Sequence, residues 1–389
     1  MPNAPSLCWV FNADFTEIGG AGNRFRAEVR YFASRYQGVN VFCRGEIPNL
    51  NFEQKSRLTT PTRLLPIFCL EVFVRALALG LRRKPIVFIV HDPISLIGVG
   101  AAAKLIRSAR VFLVVHGPMS LEQGWLARNR LKNVVSWMRR GTEAIAYALA
   151  DRLLVVSEYE MKYLREEFGL GGNVRLIRNG IPVQRFSKQP DMAIRAEMGG
   201  DGSSVLIGNV GHLYTYRGLS TLIRALALAK ERVQDISLKL AVVGSGAEEN
   251  LARFKNEVQS AGVTDHVTFI GDRLDIPEVL ASCDIYAERF SSQVDGVGIA
   301  IMEAMATGLP VVTGRDWVTS ALLCGGKNCL LVQKENIEAL ANALIFLAQN
   351  PLQRRRIGEN ARRRAYELFS SEAMLANCEK EYVLTAFDR

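Results

Sequence analysis

Two carboxylates flank a glycine-rich turn in the second half of the chain. Asp295 and Glu303 stand on either side of Gly296 and Gly298 in the stretch DGVGIAIMEAMATGLPVV, residues 295–312. The apolar run after the glycines predicts a helix. A glycine loop that enters a helix binds anions, because free backbone N–H groups and the positive end of the helix dipole meet there. With carboxylates suited to sugar hydroxyls beside it, the pattern indicates a site for phosphate and sugar, although an ordinary loop–helix–strand unit carries similar glycines.

Two of the four histidines directly follow predicted strands. His91 comes after Ile86–Val90 and His116 after Val111–Val115, and both runs are rich in the β-branched residues of buried parallel strands. Ligands of doubly wound sheets bind beyond the carboxyl ends of the strands. A single histidine there is more often structural, but two in this placement favour a site, with His116 as the main candidate.

Glycines and cations mark two further strand ends. The first predicted strand, Leu7–Phe11, runs into a loop with three glycines: Gly19, Gly20 and Gly22. The strand predicted over Val205–Val210 is followed by GHLYTYRG, which contains His212 and Arg217. Arginine is a permanent cation that grips phosphate through two N–H groups, whereas histidine carries only part of a charge near neutral pH.

Strands and helices alternate along the chain, which favours an α/β fold built from doubly wound parallel sheets. A length of 389 residues predicts two or three domains. The turn signal Asn179–Gly180 and the stiffening Pro182 predict a linker, with a domain boundary near Arg185. The stretch Arg195–Ser204 is predicted to be a surface loop.

The excess positive charge lies in the first half. Residues 1–185 hold 26 Lys and Arg against 14 Asp and Glu, a net of +12, and residues 186–389 hold 22 against 25, a net of −3, which sums to +9. A basic half indicates an anionic partner, or simply solubility. The basic stretch Leu126–Arg140 and the basic residues after a helix predicted over Leu64–Leu81 fit an anionic membrane surface, and a solvated helix face fits equally well. Nucleic acid is not expected, because no aromatic–basic recognition motif occurs.

Cysteine usage and the N-terminus concern the compartment. Seven scattered cysteines without paired spacing indicate reduced thiols rather than disulfides or zinc. The N-terminal sequence has no basic region ahead of its apolar run, so no signal peptide is predicted, and no stretch is predicted to span a bilayer. The predicted location is the cytoplasm. If the basic residues bind an anionic membrane surface, the protein attaches peripherally to the inner face of the cell membrane.

Taken together, the motifs resemble glycosyltransferase family 4. The resemblance rests on the carboxylate-bounded EAMATGLPVV stretch, on NGIPVQRF at residues 179–186 and on GHLYTYRG, and it covers most of residues 7–370. It implies the GT-B architecture, in which two Rossmann-like doubly wound parallel-sheet domains face a central cleft. The implied parts are an acceptor-binding domain over 1–185, a nucleotide-sugar-binding domain over 186–370, and a final helix over 371–389 that packs back on the first domain.

The resemblance also implies roles for individual residues. Arg217 and His212 hold the donor diphosphate, Glu303 binds the ribose hydroxyls, and Asp295 binds hydroxyls of the donor sugar. His116 faces the donor, where its imidazole orients a hydroxyl or donates to the departing diphosphate. The implied catalytic set is His116, Asp295 and Arg217. The backbone expected to lie against the donor is that of Gly19, Gly20, Gly296, Val297 and Gly298.

Several positions depart from the family pattern. Asp295 replaces the usual Glu, His212 replaces an Arg of the diphosphate clamp, and Ala321 stands where the family often has Glu. The loop Glu288–Val294 also differs from the usual family sequence and is about two residues longer. Because this loop borders the donor in the family, the resemblance does not imply which sugar is selected. These changes keep open a non-catalytic partner or scaffold subunit.

The implied reaction is transfer of a sugar, with retention of configuration, from a UDP- or GDP-sugar to a glycan or lipid-linked acceptor in cell-surface polysaccharide or glycolipid synthesis. The chain has no Asp-x-Asp motif, so the helix N-terminus and Arg217 are expected to replace a metal ion. No cofactor is expected, because the nucleotide-sugar is a substrate. A nucleotide-sugar epimerase or a glycan phosphorylase on the same architecture is the other enzymatic reading.

Overall fold

A computed structural model describes residues 5–14, 20–44, 54–58, 64–81, 84–117, 131–292 and 296–387. The chain forms two compact units, one of Met1–Gly180 with Ser371–Arg389 and one of Ile181–Ser370. The units therefore divide after Gly180, a few residues before the boundary predicted near Arg185. Each unit is described below by itself.

The first unit contains a parallel sheet in the order β3-β2-β1-β4-β5-β6-β7. Its strands are β1 (Ser6–Asp14), β2 (Val39–Arg44), β3 (Gln54–Arg57), β4 (Ile86–Val90), β5 (Ala109–Val115), β6 (Arg152–Val155) and β7 (Val174–Leu176). Its helices before the linker are α1 (Gly20–Arg35), α2 (Leu65–Gly80), α3 (Pro93–Lys104), α4 (Leu131–Leu149) and α5 (Glu158–Phe168).

Burial on both faces explains why the central strands are continuous apolar runs. All five residues of β4 are buried, and its neighbours β1 and β5 pair with it in parallel register. Helix α3 begins where the Asp92 carboxylate accepts a hydrogen bond from the Ser95 N–H at 2.7 Å. This helix is packed so closely that a Cβ atom on Gly98 would lie 2.5 Å from the Cys69 carbonyl oxygen of α2. The glycine thus permits the helix contact.

The C-terminal segment belongs to the first unit. Helix α14 (Ser371–Glu379) continues into a π-helical turn, Lys380–Leu384. The Tyr382 side chain of this turn is fully buried, and its ring meets Trp9 edge-on with 6.0 Å between centroids. The segment thereby completes the core under the strands of the first sheet.

The second unit contains a parallel sheet in the order β10-β9-β8-β11-β12-β13. Its strands are β8 (Val205–Val210), β9 (Leu238–Val243), β10 (Val267–Gly271), β11 (Ile285–Glu288), β12 (Val311–Gly314) and β13 (Leu330–Val332). Its helices are α6 (Met192–Glu197), α7 (Leu219–Arg232), α8 (Glu248–Ser260), α9 (Ile276–Ala281), α10 (Ile299–Thr307), α11 (Trp317–Leu322), α12 (Ile337–Gln349) and α13 (Pro351–Leu368).

The predicted α/β class with doubly wound parallel sheets is confirmed, but the predicted surface loop Arg195–Ser204 is wrong at its start. Arg195 lies within helix α6, which continues to Glu197, and is 9% exposed. Its guanidinium donates to the Ser282 and Ser204 carbonyl oxygens at 2.9 and 2.6 Å and pairs with Asp284 at 2.8 Å. Arginine is buried here because its fixed fork of N–H groups satisfies otherwise unpaired carbonyls.

None of the helices in the described part of the chain combines the length and the apolar character that crossing a membrane requires.

Candidate functional site

The predicted site residues fall in both units. His116 directly follows β5 in the first unit, and the second unit holds His212, Arg217, Gly296, Val297, Gly298 and Glu303. Gly19 and Asp295 lie outside the described residues, and Gly20 is the first residue of α1. Their predicted contacts with the donor remain predictions.

Arg217 stands at the carboxyl edge of the second sheet. It ends a 3-10 turn, Thr215–Arg217, between β8 and α7. Its Nη1 donates to Oε1 of Glu288 at 3.2 Å, and Glu288 is the last residue of the neighbouring strand β11. The Tyr286 hydroxyl donates to the other oxygen of this carboxylate at 2.9 Å. A permanent cation is thus fixed where two strands end, on a carboxylate that is only 3% exposed.

A glycine makes room for this cation. Gly211 follows β8 with φ 142°, and a Cβ atom there would lie 2.5 Å from Nη1 of Arg217. The same loop carries His212, an exposed side chain whose ring lies 5.6 Å from that of Tyr214. A small cavity is lined by His212, Arg217 and Glu288, so the two predicted diphosphate residues are brought together.

The turn before α10 contains a hydrogen bond that the sequence does not predict. Gly298 precedes the helix, as predicted for a phosphate-binding turn. The Gly296 N–H, however, donates to Oδ2 of Asp316 at 3.1 Å. Asp316 also caps α11 and lies 3.3 Å from Nζ of Lys334. The predicted phosphate contact of the Gly296 N–H therefore competes with a hydrogen bond inside the protein.

Glu303 lies in α10, and its environment changes its acidity. Burial raises the pKa of this carboxyl to about 7, with a further rise from Glu288 and an opposing effect of Arg185. A substantial fraction is therefore protonated at neutral pH. Hydrogen bonds from ribose hydroxyls would favour the ionised form, so a carboxyl in this state is poised to lose its proton when such a ligand binds.

Arg289 is a further candidate residue that the sequence motifs do not single out. Its backbone φ is 67°, in the left-handed region that residues other than glycine rarely adopt. Its Nη1 lies 3.0 Å from the position that a Cβ atom on Gly298 would occupy. Burial lowers the pKa of the guanidinium, partly offset by Glu288, but an arginine remains a cation. Glu288 and Arg289 lie at the carboxyl end of β11, and the strand-end rule that selected the histidines would have identified both.

In the first unit, His116 contacts a second histidine. Nε2 of His116 lies 3.0 Å from Nδ1 of His91, and Nε2 of His91 lies 3.3 Å from Oε2 of Glu28. Glu28 is fully buried on α1, although its place in the sequence gives no sign of this. His91, which the sequence placed beside His116 at the sheet edge, is thus the link between His116 and a buried carboxylate.

Donors from three elements surround this carboxylate. Glu28 accepts hydrogen bonds from Arg24 Nε at 2.8 Å, Trp9 Nε1 at 3.1 Å and the Tyr382 hydroxyl at 3.0 Å. Burial opposes ionisation of Glu28, but Arg24 and His91 outweigh it and hold the pKa of the carboxyl well below its usual range.

The state of His116 follows from the same surroundings. Burial, reinforced by the nearby His91 and Arg24, lowers the pKa of His116 well below its usual value, and Glu28 opposes this only in part. The imidazole is therefore neutral at neutral pH. Within the described ranges, no cluster of three or more His, Cys, Asp or Glu side chains is arranged to hold a metal ion.

Two family models match successive parts of the chain. The model described as "Glycosyltransferase Family 4" matches residues 18–185, and the model described as "Glycosyl transferases group 1" matches residues 192–364. A GDP-mannose-dependent alpha-(1-6)-phosphatidylinositol monomannoside mannosyltransferase of Mycobacterium tuberculosis is 27% identical over 257 residues, 63% of this chain and 62% of the relative. The chain thus matches less than two thirds of that relative's length.

Solved structures share the fold over nearly the whole chain. HepE of Anabaena, in complex with UDP-glucose, has a TM-score of 0.78 at 18% identity and covers 98% of this chain and 100% of its own. Sucrose-phosphate synthase of Thermosynechococcus elongatus has a TM-score of 0.77 at 21% identity, with 97% and 98% coverage. The GT-B fold implied by the sequence is confirmed, and this chain belongs to glycosyltransferase family 4.

Proposed function

We propose that this family 4 glycosyltransferase moves a sugar from a UDP- or GDP-sugar to a glycan or lipid-linked acceptor, with retention of configuration and without a metal ion. The pairing of Arg217 with Glu288 at the sheet edge is the observation that carries the proposal. A leaving diphosphate needs fixed positive charge, and a held guanidinium supplies it without reorganisation during the reaction.

The second unit offers further groups for the donor. The N-terminus of α10 supplies the positive end of a helix dipole, and Glu303 on the same helix suits ribose hydroxyls. Arg289 brings a second guanidinium to Gly298 at that terminus. UDP-glucose is bound by HepE and GDP-mannose is used by the mycobacterial relative, so both bases belong in the first donor panel.

The direct test is nucleotide release from UDP-, GDP- and ADP-sugars by the full-length protein in EDTA, with glycan and lipid acceptors supplied. We expect release from at least one donor, and an anomeric configuration in the product that matches the donor. Silence on every donor with each acceptor, both with and without added Mg²⁺ or Mn²⁺, favours the scaffold subunit. Conversion of a nucleotide-sugar without acceptor favours an epimerase.

A lipid-linked acceptor is supported by the outer face of α2. Exposed apolar side chains follow one another along this helix and its ends: Leu64, Ile67, Leu70, Val74 and Leu81 are 47–67% exposed. Helix α2 packs on α3, which packs on α4, and α4 exposes Met138 and Ile145. Single exposed apolar residues are ordinary, but a row of them on one helix layer fits an acyl boundary. The basic stretch that the sequence selected, Leu126–Arg140, lies largely outside the described side chains.

Vesicle flotation tests this membrane contact. We expect the protein to float with vesicles that contain anionic lipid, and the double variant Ile67→Ser/Leu70→Ser to remain at the bottom. Leu352→Ser is the matched control, because Leu352 is 85% exposed in the second unit. Equal flotation of all three proteins, or no preference for anionic over neutral lipid, contradicts the membrane contact but leaves the sugar transfer intact.

A further inference from the structure

Two tyrosines, Tyr214 and Tyr216, lie between His212 and Arg217 in the loop that follows β8. Their rings stack almost in parallel, with 10° between the ring planes and 5.1 Å between the centroids. The ring of His212 is tilted by 44° against that of Tyr214, with 5.6 Å between the centroids. His212 is exposed, and both tyrosines are only half-buried. The loop therefore presents an aromatic row, His212–Tyr214–Tyr216, at its surface.

Leu213 anchors the aromatic row to the second unit. Its side chain is 4% exposed and belongs to the core of that unit. Its N–H donates to the Ser245 carbonyl oxygen at 2.8 Å, and its own carbonyl oxygen accepts from Nδ2 of Asn250 at 3.0 Å. A Cβ atom on Gly246 would lie 2.8 Å from the Cβ atom of Leu213, so glycine permits this close approach. A loop held in this way loses little conformational entropy when a ligand binds to it.

Two backbone turns bring the three rings together. The Tyr214 N–H donates to the His212 carbonyl oxygen at 2.9 Å, which closes a tight turn around Leu213. The Arg217 N–H donates to the Tyr214 carbonyl oxygen at 3.2 Å and so stabilises the 3-10 turn that contains Tyr216. The side chain between the first two rings thus enters the core, while the rings contact one another.

The aromatic row adjoins the cation that is proposed to hold the diphosphate. The lining of one small cavity at the carboxyl end of β8 includes His212, Tyr214, Arg217 and Glu288. Glu303, which is proposed to bind the ribose, lies on α10, and this helix follows a different strand, β11. A nucleotide-sugar carries its ribose on one side of the diphosphate and its hexose on the other. The ring that meets the aromatic row is therefore expected to be a hexose rather than the ribose.

Aromatic rings are complementary to one face of a pyranose. The face of an aromatic ring carries partial negative charge, and the C–H hydrogens on a pyranose face carry partial positive charge. We propose that Tyr214 and Tyr216, together with His212, form a stacking site for the C–H face of a pyranose ring, which belongs either to the donor sugar or to the acceptor. The inference rests on the proposed sugar transfer, and it assigns a sugar contact to two tyrosines for which the family resemblance implies no role.

Calorimetric titration separates the donor sugar from its nucleotide. UDP, UDP-glucose, GDP and GDP-mannose are titrated into the full-length protein and into Tyr214→Leu, which keeps an apolar side chain but removes the aromatic face. If the row holds the donor sugar, we expect the variant to bind one of the nucleotide-sugars roughly three- to tenfold more weakly, and to bind UDP and GDP like the wild type. An equal loss for a nucleoside diphosphate and its sugar ester overturns the proposal, because the row would then hold the nucleotide.

Saturation-transfer nuclear magnetic resonance detects an acceptor sugar and does not depend on activity. The probes are methyl α-glucopyranoside and methyl α-mannopyranoside, added to the protein with excess UDP or GDP, and the aromatic protons of the protein are irradiated. If the row holds the acceptor sugar, we expect signal on the C–H protons of one glycoside in the wild type and loss of most of it in Tyr214→Leu. The affinities for the nucleotides and nucleotide-sugars then stay unchanged.

Two further variants are the controls. Tyr214→Phe keeps the aromatic ring and should behave like the wild type in both experiments. Tyr366→Leu makes the same substitution at a tyrosine of α13 that is 37% exposed, and it should also match the wild type.

Wild-type behaviour of Tyr214→Leu in both experiments overturns the stacking site, even when a nucleotide-sugar binds and its sugar is transferred. The absence of binding of every nucleotide and nucleotide-sugar to the wild type overturns the proposed sugar transfer as well, so the two failures are distinguishable. If Tyr214→Leu does not fold, the wild-type spectra decide. Irradiation of the aromatic protons must then reach the hexose C–H protons of UDP-glucose, of GDP-mannose or of a methyl glycoside, and a lack of signal on all of them overturns the proposal.

Discussion

The two units treat buried charge in opposite ways. In the first unit, Glu28 is fully enclosed and accepts hydrogen bonds from three elements, so its charge is fixed and its geometry is over-determined. In the second unit, Glu288 is satisfied by Arg217 and Tyr286, but the next residue, Arg289, has φ 67°, and Glu303 of α10 has a pKa of about 7. The first arrangement suits orientation of one imidazole, and the second suits a diphosphate that arrives and leaves.

Loss of Arg217 should give the largest effect. Arg217→Gln removes the fixed cation opposite the leaving diphosphate, and we expect kcat to fall roughly 100- to 1,000-fold, the scale of one lost electrostatic contact to a developing charge. Steady-state kinetics with the best donor measures this. Arg217→Lys is the matched control, because it keeps the charge but loses the planar fork, and it should be intermediate. A wild-type kcat in Arg217→Gln would show that Arg217 does not stabilise the leaving diphosphate.

Glu303 should make nucleotide affinity depend on pH. With a pKa of about 7, the carboxylate that accepts ribose hydroxyls becomes ten times more populated between about pH 6 and about pH 8. We expect the affinity for UDP or GDP to rise roughly tenfold over that range in the wild type, and Glu303→Gln to bind weakly and without this dependence. Calorimetric titration at several pH values measures both.

In the protein without ligand, the raised pKa of Glu303 makes the free energy of unfolding fall as the pH rises. A carboxyl whose pKa is raised from 4.5 to about 7 on folding contributes stability below pH 4.5, and that contribution is lost as the pH rises through about 7. Glu303→Gln should therefore be more stable than wild type above about pH 7, with the difference shrinking in acid.

A wild-type affinity for UDP or GDP that is flat from pH 6 to pH 8 shows that Glu303 does not bind the ribose as an anion.

Replacement of Arg289 by glycine distinguishes an effect on backbone strain from an effect on ligand binding. Arg289→Gly removes the guanidinium beside Gly298 and relieves a conformation that costs a side-chain-bearing residue about 1–3 kcal/mol. We expect the free energy of unfolding to stay level or rise, while the affinity for a nucleoside diphosphate falls roughly three- to tenfold. Denaturant unfolding and calorimetry measure the two quantities. A variant that loses stability but binds nucleotide as before indicates a purely structural arginine.

A change in the first unit should leave nucleotide binding alone. Trp9→Phe removes the indole N–H that donates to Glu28 at 3.1 Å. Hydrogen bonds to a charged group contribute about 1.5–3 kcal/mol, so we expect a lower free energy of unfolding by about that amount and an unchanged affinity for UDP or GDP. A weakened nucleotide affinity at unchanged stability contradicts the separation of roles between the units.

The sequence predicts the framework well wherever burial dictates composition. The strands Ile86–Val90 and Val205–Val210 are predicted with the bounds that the structure shows, because apolar residues dominate both. The strand–helix alternation predicts a helix between Ile86–Val90 and Val111–Val115, where α3 lies, but it does not predict the bounds of that helix. It is apolar around its whole circumference and contains glycines at its contacts with other helices, so it has no helical periodicity to read.

Side-chain partners are the part that sequence patterns do not give. Glu28 occupies an ordinary position in a polar helix, and only the approach of α14 and β4 makes it a buried anion. The occupied Gly296 N–H depends in the same way on Asp316, which is twenty residues distant in the chain. Motifs predict where ligands bind, whereas tertiary contacts decide which polar groups are already hydrogen-bonded within the protein.

Calorimetric titration of UDP- and GDP-sugars in EDTA, on the wild type and on Arg217→Gln, tests the central claim most directly. We expect the wild type to bind at least one of the two without metal and the variant to bind it roughly 100-fold more weakly. Equal affinity in the two proteins, or binding that returns only when a divalent metal is restored, would contradict it.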